Sequence, residues 1–347
     1  MSGVSKAIVQ PLLDWYDAGH RDLPWRSEPT PYRVWVSEIM LQQTRVEAVR
    51  GYFSRWMNAL PDIPALAAAD EAVYTKLWEG LGYYSRVRNL HRAAVLLCEE
   101  YGGELPADYD RLLSLPGVGE YTAGAVASIA FGLPVPAVDG NVLRVAARLD
   151  NDFTPITDAK FKKQTRERFA ALMPSDRSGD LNQSLMELGA TVCLPNGAPR
   201  CDECPIQHLC EGFHRGNAAV LPLRAAKKAR RVENRTVLVV RCGELVGLRQ
   251  RPKKGLLAGL WELPSLDGHL SPDELRTTLT EIGWSVRKLL SLRPAKHIFT
   301  HVEWHMNGVY VELDAPAPAL TFVTPAALRD AYALPSAFRS FVSVLED

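Results

Sequence analysis

Four of the six cysteines, Cys193, Cys201, Cys204 and Cys210, fall in one short segment, CLPNGAPRCDECPIQHLC, with the spacing C-x7-C-x2-C-x5-C. Four thiolates so close can hold tetrahedral zinc or a [4Fe–4S] cluster. Structural zinc more often uses two C-x2-C pairs, and only one is present. Cys98 and Cys242 stand apart. A secreted disulfide framework would be spread more evenly and follow a signal sequence, so a bound metal is the expectation. Two carboxylates also stand out. Glu38 lies in VWVSEIMLQQT, one turn after Val34 and one before Gln42. Buried among Val34, Val36, Ile39 and Met40 it would have a raised pKa and suit general-acid work; otherwise it is an exposed helix charge. Asp139 opens VDGNVLRV, where it is either a plain N-cap or a carboxylate held against a developing cation.

These residues need elements to position them. Thr30-Pro31 is a helix start, with a helix running to Gln42, and Val46, Val49, Phe53 and Trp56 recur at helical spacing. Helical patterns continue over 72–79, 87–101, 108–114, 121–131, 140–150 and 161–172. Between two of them lies LPGVG at 115–119, where Gly117 and Gly119 permit a tight turn. Together with Val118 they would aim backbone amides at a phosphate from the start of the following helix, the alternative being an ordinary helix–helix turn. Residues 1–211 therefore read as a helical domain. Residues 212–235 read as a basic linker, with Arg224, Lys227, Lys228, Arg230, Arg231 and Arg235 against Glu233. Its phosphate role is secondary to its being a solvated connection. Residues 236–347 read as an α+β domain. Its strand-like runs are TVLVVRC, LVGLRQR, HIFTHVEWHM and GVYVELD, with helices near 271–282, 325–332 and 336–345.

Composition narrows the class. The 347 residues suit roughly two domains, and 47% hydrophobic with 23% charged residues excludes wholesale disorder. Forty basic residues balance forty acidic ones, so a nucleic-acid partner has to be argued from local features. No apolar run is long enough to span a membrane, and the N-terminal stretch, broken by Pro11, is neither a signal nor a transit peptide. A cytoplasmic monomer is expected.

LPWR at 23–26, SEIMLQQT at 37–44, GLGYYSRVRNL at 80–90, LPGVGEYTAGAVASIAFG at 115–132, VDGNVLRV at 138–145, LNQSLMELGA at 181–190 and the cysteine cluster occur in one order along nearly the whole chain. In this the chain closely resembles adenine DNA glycosylases of the MutY type, in the helix-hairpin-helix superfamily. The resemblance implies an all-α catalytic region with a [4Fe–4S] cluster on the four cysteines, followed by a Nudix-like domain that inspects 8-oxoguanine. It implies a base-excision enzyme that removes adenine mispaired with 8-oxoguanine or guanine in double-stranded DNA. By likeness, Glu38 protonates the flipped adenine at N7 and Asp139 stabilises the oxocarbenium ion. Tyr121 and Asn141 shape that pocket, Arg26 and Glu187 contact the base edge, and Gln43 and Tyr83 wedge into the stack. Phe299, Thr300 and His301 correspond to the family's Phe-Ser-His motif.

Tyr121 stands where the related endonuclease III-type enzymes carry the lysine that forms a Schiff base, so the expectation is a monofunctional glycosylase. Two departures are visible: seven residues, where the family has six, in the first cysteine gap, and Thr300 in place of serine, which keeps the hydroxyl and adds a methyl. PDELRTTLTEIG lacks a carboxylate pair spaced for Mg²⁺, so the second domain is expected to bind without hydrolysing. The alternatives are an endonuclease III-like glycosylase/lyase acting on oxidised pyrimidines, and a non-catalytic DNA-binding module with structural zinc.

Overall fold

A computed structural model describes residues 5–195, 197–224 and 229–345. The first half is helical: α1 (Val9–Gly19), α2 (Pro31–Leu41), α3 (Val46–Ala59), α4 (Ile63–Ala67), α5 (Glu71–Leu77) and α6 (Ser85–Tyr101). These are followed by α7 (Tyr109–Ser114), α8 (Glu120–Phe131), α9 (Gly140–Leu149), α10 (Ala159–Ala170), α11 (Ser178–Thr191) and α12 (Glu211–His214). Two compact units result. One comprises Met1–Ala69 with Arg88–Ala226, the other Asp70–Val87 with Lys227–Asp347.

In the first unit the start signals act as expected. Thr30 caps α2 by accepting from the Arg33 amide, with Pro31 at the first helical position. α2 is buried nearly all round, from Tyr32 through Met40, which is why its apolar residues show no single stripe. A core of Leu12, Val145, Leu149, Phe169, Leu181, Leu185 and Leu188 joins α1, α9, α10 and α11. Small residues set the helix spacing: a Cβ on Gly124 of α8 would sit 2.4 Å from the Pro136 carbonyl oxygen. Pro11 does not break the N-terminal stretch. It lies in the first turn of α1, where its missing N–H costs least.

The second unit is an α+β fold around a mixed sheet. Its strands are β1 (Arg231–Cys242), β2 (Leu245–Gln250), β3 (Trp261–Glu262), β4 (Ser265–Asp267), β5 (Val286–Ser291), β6 (Ala295–Ile298), β7 (Val302–Leu313) and β8 (Thr321–Val323), and its helices α13 (Pro272–Glu281), α14 (Pro325–Ala331) and α15 (Arg339–Val342). The main path runs β3-β2-β1-β7-β5. β1 and β7 are parallel, with Leu238 facing Val309; the other pairs are antiparallel. β1 is central, so both its faces are covered. Val237 and Val239 pack with Trp304 and Phe338, while Leu238 and Val240 pack with Leu275 and Leu279 of α13.

Three expectations change here. The basic stretch is not linker to its end, because Arg231–Arg235 pair with Val302–Met306 as strand; Lys227 and Lys228 lie outside the described residues. The run HIFTHVEWHM is not one strand: residues 299–301 form the turn between β6 and β7. VEWHM and GVYVEL instead form a single strand through Gly308, where a Cβ would stand 2.4 Å from the Phe341 ring, so glycine is a packing requirement and not a break.

Candidate active site

Glu38 projects from the middle of α2 and is 6% exposed. Facing it is Tyr121, in the first turn of α8, whose hydroxyl donates to Glu38 Oε2 and lies 3.3 Å from Met186 Sδ. Asp139 is the N-cap of α9. Its Oδ1 accepts the amides of Asn141 and Val142, both at 2.8 Å, and its Oδ2 accepts Asn141 Nδ2 at 2.7 Å. Behind it, Arg144 donates to Asn141 Oδ1 at 2.8 Å, to the Gly189 carbonyl at 2.7 Å and to the Cys193 carbonyl at 2.8 Å. Glu38, Tyr121, Asp139, Asn141, Arg26 and Glu187, six residues singled out in the sequence, line one cavity of about 160 Å³. Trp25, Thr44 and Met186 are also part of its wall.

The electrostatics separate the carboxylates. Burial pushes the Glu38 carboxyl up to about 7, against the Tyr121 hydroxyl, which favours the anion. Burial also raises Asp139, against three hydrogen bonds and Arg144 that pull it down. Glu187, 2% exposed, is held below the usual carboxylate range despite burial. Arg21 reaches it at 2.6 and 2.9 Å and Arg26 at 2.9 Å. Arg21 was not visible as a site residue, since nothing in its local spacing points across 166 positions.

Gln43, Gly117, Gly119, Tyr121 and Asp139 line an adjoining groove. The 115–119 turn is built as its residues require: Gly117 has φ +77° and a Cβ there would meet Asn89 at 2.5 Å, and the Val118 side chain is buried. Gly119 is the N-cap of α8 and, as glycine, makes no side-chain cap bond to that helix. Gln43 has φ +58°, a left-handed conformation that is costly for a side-chain-bearing residue.

Cys193, Cys201, Cys204 and Cys210 line a single pocket walled by Val145, Leu149, Leu188 and Ile206. Arg148 donates to Cys193 Sγ at 3.1 Å. Burial raises the thiols of Cys201 and Cys210, and pushes Cys204 up to about 12. No three His, Cys, Asp or Glu among the described residues group around one metal ion. An all-sulfur donor set distributed around an apolar pocket fits a polynuclear group whose positive charge stabilises the thiolates. The long first gap is closed at its base by the Arg200 amide on the Val192 carbonyl, at 3.0 Å. Within it, Asn196 lies outside the described residues.

The remaining singled-out residues belong to the second unit. Phe299, Thr300 and His301 form the β6–β7 turn. The Phe299 ring meets Trp304 edge-on at 4.9 Å, and the Arg231 amide donates to the His301 carbonyl at 3.1 Å. Tyr83, at φ +47°, lies with its hydroxyl 3.0 Å from that of Thr300.

Residues 36–172 match the HhH-GPD superfamily of base excision DNA repair proteins, and residues 236–344 match the NUDIX domain. The mouse adenine DNA glycosylase is 39% identical over 89% of this chain and 71% of its own length. The chain belongs to the adenine DNA glycosylase family. The human member is 35% identical over 89% of the chain and 68% of its own length. A Buchnera aphidicola member is 30% identical over 88% and 87%. Among solved structures, a thermostable thymine-DNA glycosylase aligns with TM-score 0.54 and 27% identity, over 60% of this chain and 96% of that one. A trapped endonuclease III–DNA covalent intermediate aligns with TM-score 0.51 and 26% identity, over 61% and 98%. This member of the family is thus a base-excision glycosylase, a hydrolase of N-glycosyl bonds whose partner is DNA. Among its described residues no helix is long and apolar enough to cross a membrane.

Proposed function

We propose that the protein hydrolyses the N-glycosidic bond of adenine opposite 8-oxoguanine, or opposite guanine, and leaves an abasic site without cutting the strand. The observation that carries this reading is the bond from Tyr121 to a Glu38 carboxyl whose pKa is about 7, in a cavity shared with Asp139. A duplex buries adenine's reacting bond, so the base is extruded into that cavity while Gln43 and Tyr83 fill the gap. Glu38, half-protonated near neutrality, gives its proton to adenine N7 and makes the base a better leaving group. Asp139 opposes the positive charge that grows on the sugar and steadies the attacking water. Asn141 and Tyr121 hold the two carboxyls apart. Arg26 and Glu187 meet the base edge, and the amides around Gly117, Val118 and Gly119 take a phosphate.

Among the described residues no lysine lines the cavity or the adjoining groove, which leaves none of them as the amine for a Schiff base there. The second unit reads the opposite base through Phe299, Thr300 and His301, with Thr300 supplying the hydroxyl. Cys193, Cys201, Cys204 and Cys210 hold a [4Fe–4S] cluster. Its contribution when bound is a set of iron–sulfur bonds that staple the chain around the C-terminal end of α9.

One gel tests the proposal: duplexes carrying adenine opposite 8-oxoguanine, incubated with wild type, Glu38→Gln or Asp139→Asn, with and without alkali. Strand breaks should appear only after alkali and only with wild type. Alkali-independent breaks, or a borohydride-trapped adduct in the yield of a true lyase, would overturn it.

A further inference from the structure

The segment Asp70–Val87 groups with the C-terminal unit although the chain enters it from the helical half. Its anchor is a pair of charged residues. Lys76, in α5, has its ammonium 2.6 Å from Glu79 and donates to the Tyr332 carbonyl at 3.2 Å. The other Glu79 oxygen accepts the Leu334 amide at 2.8 Å. Both side chains are less than a third exposed, at 23% and 32%, so these charge-assisted bonds are partly shielded from water.

The loop that follows is equally determined. Trp78 Nε1 donates to the Gly82 carbonyl at 3.1 Å, and Arg86 donates to the carbonyls of Leu81 and Gly82 at 2.9 and 3.2 Å. The same guanidinium lies 5.2 Å from the Trp78 ring and 5.6 Å from that of Tyr83. Tyr83 is held at φ +47° by this scaffold, with its hydroxyl on Thr300. An exposed hydroxyl–hydroxyl bond is too weak to keep two segments 217 residues apart in register. A half-buried ion pair gripping two backbone groups holds more firmly.

We propose that Lys76 and Glu79 are positioning residues: a latch that makes the Tyr83 loop and the 299–301 turn one rigid reader of the base opposite the excised one. The inference rests on the role proposed for Tyr83 and Thr300. It predicts that cutting the latch leaves chemistry intact and spoils discrimination, because the described residues that line the Glu38–Asp139 cavity do not include Glu79.

The test uses the full iron-containing protein and single-turnover excision of adenine opposite 8-oxoguanine and opposite guanine, measured against enzyme concentration. For Glu79→Ala and for Lys76→Met, the maximal rate on both duplexes should stay within about twofold of wild type. The half-saturating concentration should rise about tenfold on the 8-oxoguanine duplex and change little on the guanine duplex. Glu79→Gln keeps an acceptor for the Leu334 amide and should recover most of the difference. Equal weakening on both duplexes in both variants, or unchanged discrimination in proteins that melt as wild type does, would overturn the latch. A wild type that itself fails to prefer 8-oxoguanine would remove the reader, and the latch with it.

Discussion

Replacing Glu38 with glutamine should stabilise the protein while abolishing excision, and the gain should grow with pH. The Glu38 pKa of about 7 in the folded chain stands against 4.5 for the free side chain. Below 4.5 the group is protonated in both states and burial of a neutral carboxyl costs little. Between 4.5 and 7 the unfolded chain has released its proton while the folded chain still holds one, so stability falls as pH rises. Above 7 the loss is complete, at about 3 kcal/mol for a shift of that size. Glutamine carries no charge at any pH, and its amide oxygen can accept the Tyr121 hydroxyl. Thermal melts of the two proteins should therefore nearly coincide at pH 5, where the difference is under about 1 kcal/mol. At pH 8 they should separate by roughly 5–10 °C in favour of the variant. An identical offset at both pH values would mean that Glu38 is not held proton-rich by its surroundings, and the general-acid assignment would lose its physical basis.

The other site residues make separable predictions. Tyr121→Phe removes the donor that favours the Glu38 anion, so the alkaline limb of the single-turnover rate should move up by about one pH unit, a charge-assisted bond being worth about 1.5 kcal/mol or more; an unmoved limb would refute the coupling. Asp139→Asn should cost about 10²- to 10³-fold in rate while duplex binding by gel shift and the melting temperature hold, since asparagine still caps α9. Cys204→Ser should lower the iron content and visible absorbance of the purified protein and make the 193–210 segment sensitive to protease. Gly308→Ala should destabilise the C-terminal unit by about 1–3 kcal/mol through the Phe341 ring, read as an earlier melt of that unit.

Much of this arrangement was legible because its signals are local. The cap at Thr30, the glycines of the 115–119 turn, the cysteine spacing and Asp139 before Gly140 each declare themselves within a few residues. What was hidden depends on partners far away. Glu38 reads as an ordinary helix charge until α8 brings Tyr121 to it. Arg21 and Arg144 carry no periodic signal; they matter because Glu187, Asn141 and Cys193 arrive from other elements. Helix α11, which carries Glu187, is diluted by Ser178, Gly179, Asn182, Gln183, Ser184 and Gly189, so it shows a motif and no clear helical stripe. In the second unit, Gly308 looked like a strand break, because the ring that requires it lies 33 residues further on.

The raised pKa of Asp139 bears on how catalysis would arise. A carboxylate with three donors and an arginine behind it should ionise easily, yet burial tips the balance the other way. Burial thus leaves its negative charge less stabilised than that of a solvated carboxylate. In the proposed reaction a positive charge arises on the sugar only as the base departs. On that proposal the ion pair would form as the cation develops, so that Asp139 would favour the transition state over the bound substrate. Had Asp139 been fully satisfied by its surroundings, it would have bound the ground state and the cation almost alike. Asn141 enforces the compromise, giving one amide hydrogen to Asp139 while its oxygen is held by Arg144, which in turn grips the Cys193 carbonyl. The carboxyl is thus fixed in direction without being neutralised, and α9 ties its position to the cysteine pocket at the other end of the helix.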